Sequence, residues 1–267
     1  MNADAAARSG TTLCLRIEDI DQGRCRPEFE EAIIEDLAWL GISWATPVMR
    51  QSERFAAYED AIRDLAERGL LYRCFKTRAE LKALARAPHG VAPRGPMTAP
   101  LPASEEKQFL SDGKSFAWRL NTSRTAEALG TDHISWTELT DNGSAAKSAL
   151  VRDLPDEVLG RKDFPASYHL ASVIDDAAQG VTAVLRGEDL ESAIPVHRVL
   201  QELLGLPTPV YKHHRLITDD AGNRLAKRDR AATLRSLREN GVTPAEIRQR
   251  LGLPPASFSS AHGAGTQ

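Results

Sequence analysis

The chain has 267 residues, 42% hydrophobic and 27% charged, with 34 Lys and Arg against 37 Asp and Glu for a net charge of −3. That length can bury a sizeable core in one domain with an appendage or in two modest domains. No run approaches 18 apolar residues, which excludes a membrane-spanning helix, and three scattered cysteines (Cys14, Cys25 and Cys74) exclude a disulfide framework and fit a reducing cytosol.

The opening M-N-A-D-A-A-A-R-S-G lacks the apolar core of a signal peptide and reads as the tail of a helix ending at Gly10. Leu13, Leu15 and Ile17 then alternate with Cys14, Arg16 and Glu18, the two-residue period of a buried strand. That strand delivers Glu18, Asp19 and Asp21 into a turn. Enzymes of the α/β class hold polar substrates at the C-terminal ends of strands, so this acidic end reads as one wall of a site. Only a dozen residues precede it, too few for a further strand and a phosphate-binding helix.

Pro27 to Leu40 has helical spacing and stops at Gly41. Ser52 reads as the N-cap of a second helix, which carries Tyr58, Ile62 and Leu65 on one face and ends near Gly69. Tyr72 to Phe75 reads as a short strand, and Thr77-Arg78-Ala79-Glu80 as a capping box. Residues 86 to 105, rich in Ala, Pro and Gly, mark a loop or insert boundary. Strands are expected at Ser115 to Asn121, around Ile134 to Leu139 and at Val181 to Leu185, while Ser167 to Ile174 fits helix or strand. Helices are expected at Ile194 to Leu204, Thr233 to Asn240 and Thr243 to Leu251, before a disordered tail.

Three islands could carry chemistry. The first is R-I-E-D-I-D, Arg16 to Asp21. The second runs from Tyr168 through Asp175-Asp176 to L-R-G-E-D-L, Leu185 to Leu190, where a guanidinium at a strand end can grip a carboxylate bidentately. The third is H-H-R-L-I followed by N-R-L-A-K-R, where Lys227 sits in a basic loop able to close over a polyphosphate. Taken singly, the second also fits a surface Arg–Glu pair and the third a solvated basic turn.

Together the islands resemble the catalytic core of glutamate-type aminoacyl-tRNA synthetases, and most of all the glutamyl-queuosine tRNA(Asp) synthetase family, stand-alone relatives without an anticodon-binding domain. The stretches that carry the resemblance are R-I-E-D-I-D, Y-H-L-A-S-V-I-D-D-A-A-Q-G-V-T-A-V-L-R-G-E-D-L and Y-K-H-H-R-L-I with R-L-A-K-R, within a likeness covering about residues 11 to 253. The resemblance implies an α/β fold, a class I Rossmann-type parallel sheet with an inserted acceptor-binding-like lobe and a short helical C-terminal segment. The implied domains are 1–71 and 151–230 for the two halves of the catalytic domain, 72–150 for the lobe and 231–267 for the helical segment and tail.

The implied activity is ATP-dependent activation of glutamate and its transfer to the queuosine base of tRNA(Asp). Glu18 resembles the acid that binds the amino group of glutamate, Tyr168 and Arg186 the residues that hold the rest of it, and Lys227 the lysine that binds ATP and stabilises the departing pyrophosphate. L-glutamate, ATP with Mg2+ and tRNA(Asp) are the expected partners of a cytoplasmic monomer with no membrane association.

Three departures from the family pattern stand out. The R-F-A-P-S-P-T-G strand and H-x-G-H helix start that cradle ATP phosphates have no counterpart, so the first strand and that helix are expected to be missing, leaving an exposed apolar edge and a poorly stable chain. The family's zinc ligands are reduced to Cys74 and His89, too few for a four-ligand site; zinc is not expected, and Cys74 reads as a small buried residue. Ala226 stands where the lysine loop usually has serine. Two other readings stay open: a non-catalytic paralogue that binds glutamate or RNA, and a discriminating glutamyl-tRNA synthetase fragment. The second is disfavoured because the 37 residues after Arg230 leave no room for an anticodon-binding domain.

Overall fold

A computed structural model describes residues 1–77, 79–81, 98–161, 163–218 and 233–256. The chain divides into two compact units, one formed by Met1–Glu53 with Arg215–Gln267, the other by Arg54–His214.

In the first unit, helix α1 (Asn2–Ser9) ends at Gly10, whose φ of 63° is the left-handed turn that a side chain would strain. Strand β1 (Cys14–Ile17) runs parallel to β2 (Ala45–Arg50), with α2 (Pro27–Trp39) as the crossover. Two C-terminal helices, α8 (Leu234–Glu239) and α9 (Pro244–Arg250), complete the unit. Arg238 Nη2 meets Glu35 of α2 at 2.9 Å, and Arg248 Nη2 donates to the buried Asp4 of α1 at 2.7 Å. Burial works against ionising Asp4, but Arg248 and the N-terminal amine prevail and hold its carboxyl below the usual range. This clasp therefore stabilises the fold above the ordinary Asp range and is lost as pH falls through the depressed value.

Two expectations change here. The β1 residues are half-buried at best, with Cys14 exposed, because among the described residues β1 hydrogen-bonds to a strand on one side alone. Ser52 is not a helix N-cap: it lies in a 3-10 turn, Gln51–Glu53, and its N and Oγ donate to the two oxygens of Asp19 at 2.9 and 2.6 Å.

In the second unit, α3 (Phe55–Glu67) buries Tyr58, Ile62 and Leu65, the face its spacing indicates. Strands β3 (Leu71–Cys74), β4 (Ala117–Leu120) and β7 (Val158–Arg161) form an antiparallel sheet in the order β3-β4-β7, and Cys74 is buried as expected. Helices α4 (Ala103–Ser111) and α5 (Thr122–Leu129) flank β4. The capping box forms as read, Thr77 N donating to Glu80 Oε2 at 2.6 Å and Glu80 N to Thr77 Oγ1 at 3.3 Å. A second sheet has the order β6-β5-β9-β8: β5 (His133–Thr140) and β6 (Gly143–Leu150) are an antiparallel hairpin, while β8 (Ala183–Gly187) and β9 (Val210–His214) continue it in parallel.

The purely parallel sheet is thus corrected to a mixed one, because the hairpin β5–β6 supplies an antiparallel edge. Helix α6 (Tyr168–Ala178) settles the ambiguous stretch as helix, and α7 (Ile194–Leu203) packs Ile194 with Trp136 of β5 and Tyr211 of β9. Gly160 on β7 is needed for close approach: a Cβ there would sit 3.0 Å from the Pro165 carbonyl and 3.2 Å from Ile62 Cδ1.

Among the described residues, every buried apolar side chain except Ile247 belongs to the second unit. Local opening free energy follows buried apolar packing. Amides of β1 and β2 are accordingly expected to exchange with solvent faster than those of α6 and α7; equal protection in native-state hydrogen exchange would contradict this.

Candidate active site

Strand β8 reads A-V-L-R-G, and its period of two places Val184 and Arg186 on one face. Val184 packs against Trp136, Ile194 and Tyr211, which fixes that face toward the core. Arg186, one step further along, therefore crosses the same face at the C-terminal end of the strand, its Cζ 5.6 Å from the Tyr211 ring centre. Arg186 Nη1 donates to the hydroxyl of Tyr168, the first residue of α6, at 3.1 Å.

The other edge of this guanidinium is what makes the place a site. Arg186 Nε and Nη2 are buried and have no hydrogen-bond partner among the described residues. No carboxylate among those residues pairs with Arg186. These two N–H groups form the fork that matches a carboxylate, and leaving them dry and unpaired costs more than an ordinary hydrogen bond returns. An edge of this kind can receive an anion.

Two histidines lie beside the Tyr168–Arg186 pair. His197 Nδ1 lies 3.5 Å from Arg186 Nη1, and the rings of Tyr168, His169 and His197 stand 5.3 to 5.6 Å apart, centre to centre. Burial holds His169 below the usual imidazole range, and the Arg186 charge adds to this against an opposing pull from Glu157. His169 is therefore neutral at neutral pH.

Tyr168 and Arg186 are brought together as their shared motif implies. Glu18 stands in the first unit just past β1, exposed, with Arg16 Nη2 3.2 Å from its Oε1. Its acidic neighbours are used locally: Asp19 clasps Ser52, and Asp21 pairs with Arg24 at 3.3 Å. Lys227, Ala226 and His89 lie outside the described residues. His169 and His197 escaped notice in the sequence, although His169 directly follows Tyr168. A lone histidine on a helix gives no periodic signal of its own.

Residues 1–261 match the family described as tRNA synthetases class I (E and Q), catalytic domain. The chain belongs to this class I synthetase family. Among relatives of this family, a glutamyl-Q tRNA(Asp) synthetase of Rhodobacter capsulatus is 45% identical over 259 residues, covering 94% of this chain and 91% of that one. Another of the same name, from Nocardia farcinica, is 39% identical and covers 94% of this chain and 77% of its own. The crystal structure of a glutamate-tRNA synthetase from Elizabethkingia anophelis superposes with a TM-score of 0.69 at 27% identity, over 85% of this chain and 48% of that one. The class I chain thus spans about half the length of that synthetase. Its α/β architecture is that of a class I catalytic domain, and its chemistry is that of an aminoacyl-tRNA synthetase-type ligase. Among the described residues no helix is long and apolar enough to cross a membrane.

Proposed function

We propose that this chain activates L-glutamate with ATP and transfers the glutamyl group to the queuosine base of tRNA(Asp). The observation that carries the reading is the buried edge of Arg186 at the end of β8, whose Nε and Nη2 have no hydrogen-bond partner among the described residues; we read it as a receptor for one carboxylate of glutamate, with the Tyr168 hydroxyl bracing Nη1. The names of the two relatives supply the acceptor, and family membership supplies ATP.

In the first step a glutamate carboxylate oxygen attacks the α-phosphorus of ATP, bound as its magnesium complex. A P–O bond forms, and the bond to pyrophosphate breaks with the electron pair leaving on pyrophosphate. Lys227 neutralises that departing charge, Glu18 holds the amino group, and Tyr168 with Arg186 fixes the carboxylate end. In the second step a nucleophilic group of the acceptor base attacks the activated carbonyl carbon and forms the new acyl bond; the C–O bond to the phosphate breaks, AMP leaves with its electron pair, and the nucleophile's proton passes to solvent. Residues 72–150 act as the lobe that receives the tRNA.

The test is glutamate-dependent ATP–pyrophosphate exchange, followed by transfer of labelled glutamate to tRNA(Asp) with and without queuosine. Exchange without transfer to the queuosine-containing tRNA would overturn the acceptor, and no exchange would overturn activation. Lys227→Ala is expected to slow exchange by about 10²- to 10³-fold, as for other donors placed against developing charge. An unchanged rate would remove Lys227 from the site.

A further inference from the structure

Arg186 has a neighbour that its assigned role leaves unused. In the parallel register of β8 and β9, Arg186 pairs directly with His213. Residues paired across parallel strands project to the same face, with the strands about 4.8 Å apart. His213 is thus beside Arg186, also at the C-terminal end of its strand. Its side chain is 7% exposed, and its Nδ1 lies 2.8 Å from Oε1 of Glu138, itself 9% exposed, on β5. Its Nε2 is buried with no hydrogen-bond partner among the described residues.

Glu138 determines which proton His213 carries. Burial raises the Glu138 carboxyl, but Lys147 and His213 outweigh burial and hold it below the usual range, so it is an ionised acceptor. Lys147 reaches its Oε2 at 2.7 Å and is itself anchored by Glu191 at 2.9 Å. The Nδ1 proton is therefore committed to Glu138, and only protonation of Nε2 can make the second nitrogen a donor. A neutral ring would turn a lone pair toward any anion held by Arg186.

We propose that His213 is a second carboxylate-binding residue beside Arg186, its Nε2–H donating to the same substrate carboxylate while Glu138 holds the ring. This rests on Arg186 being the carboxylate receptor. It makes glutamate binding proton-linked: the imidazolium lies between two carboxylates, one of the protein and one of the ligand. The other charges on elements packed against β9 do not replace it. Arg186 is the cation at the paired position of β8, and Lys212 is occupied by Asp141 at 2.9 Å. Glu188 and Asp189, in the turn after β8, are exposed, and His214 follows on the same strand.

Titration calorimetry of L-glutamate into the full chain, between about pH 6 and 8.5 in two buffers of different ionisation enthalpy, tests this. The wild type is expected to take up protons on binding and to lose affinity as pH rises. His213→Gln, which donates without titrating, is expected to bind within a few-fold of wild type with proton uptake abolished. His213→Ala is expected to weaken binding about tenfold or more, the loss of one charge-assisted hydrogen bond. Glu138→Gln keeps a partner for Nδ1 without its charge, and is expected to move proton uptake to lower pH.

Proton uptake retained in His213→Gln, or wild-type affinity in His213→Ala, would overturn the proposal. Affinity that rises with pH would also overturn it, showing that Nε2 accepts from the ligand. Binding lost in Arg186→Ala but untouched by both His213 variants would sink the histidine alone. Absence of glutamate binding by the wild type would sink the functional reading with it.

Discussion

Arg186→Ala is expected to abolish glutamate-dependent exchange, with a loss in kcat/KM of about 10²- to 10⁴-fold. The figure follows from two charge-assisted hydrogen bonds at about 1.5–3 kcal/mol each, both made by the unpaired edge of the guanidinium. Arg186→Lys keeps the charge but lacks the fork, and is expected to recover only a small part. The same substitutions have a second signature. Two N–H groups of this buried cation are unsatisfied among the described residues, so Arg186→Met removes a cost from the unliganded fold. Its melting temperature is expected to equal or exceed that of the wild type. A variant that lost activity and stability together would identify Arg186 as a structural residue, and a wild-type KM for glutamate in Arg186→Ala would remove it from the site.

The largest stability effect is expected at Asp175, the first acid of the D-D pair in the long motif. It is completely buried, accepts from Arg54 Nε at 2.6 Å and from the Tyr58 hydroxyl at 2.7 Å, and so ties α6 to the start of α3. Breaking a buried pair from one side strands the other charge, which costs about 3–5 kcal/mol. For a chain of this size that corresponds to roughly 10 °C in Tm for Asp175→Ala. Asp175→Asn, which still accepts hydrogen bonds, is expected to lose less. Thermal melts decide it, and a shift for Asp175→Ala no larger than that of an exposed acid such as Glu59 would show that the pair carries no net stability.

Asp175 also shows how far the sequence could be read. Its motif was legible as a unit with Tyr168 and Arg186, and that unit was read as a substrate site. Within the unit, nothing in the letters separates the residue that faces a ligand from the one that locks two helices. The distinction appears only when Arg54 and Tyr58, more than a hundred positions earlier, are seen to close on the carboxylate. Asp19 teaches the same lesson at shorter range: it read as part of an acidic wall, yet both its oxygens are taken by Ser52.

Local signals were read correctly where the physics is local. The helix stop at Gly10, the capping box at Thr77, the helix start at Thr243, the buried face of α3 and the α7 helix depend on neighbours within a few residues. Strands β6 and β7 and helices α4 and α5 went unread, because short, mixed-polarity segments take their form from partners far away in sequence.

By itself, the sequence determined the family and singled out Tyr168 and Arg186 within one long motif, since such a motif fixes residue types at fixed spacing. Only the tertiary structure decided that the Arg186 fork is buried without a partner among the described residues, and that His213 stands beside Arg186 and meets Glu138. Hydrogen-bond satisfaction is a property of three-dimensional surroundings, and these come from strands β5, β8 and β9, whose neighbourhood no local pattern encodes.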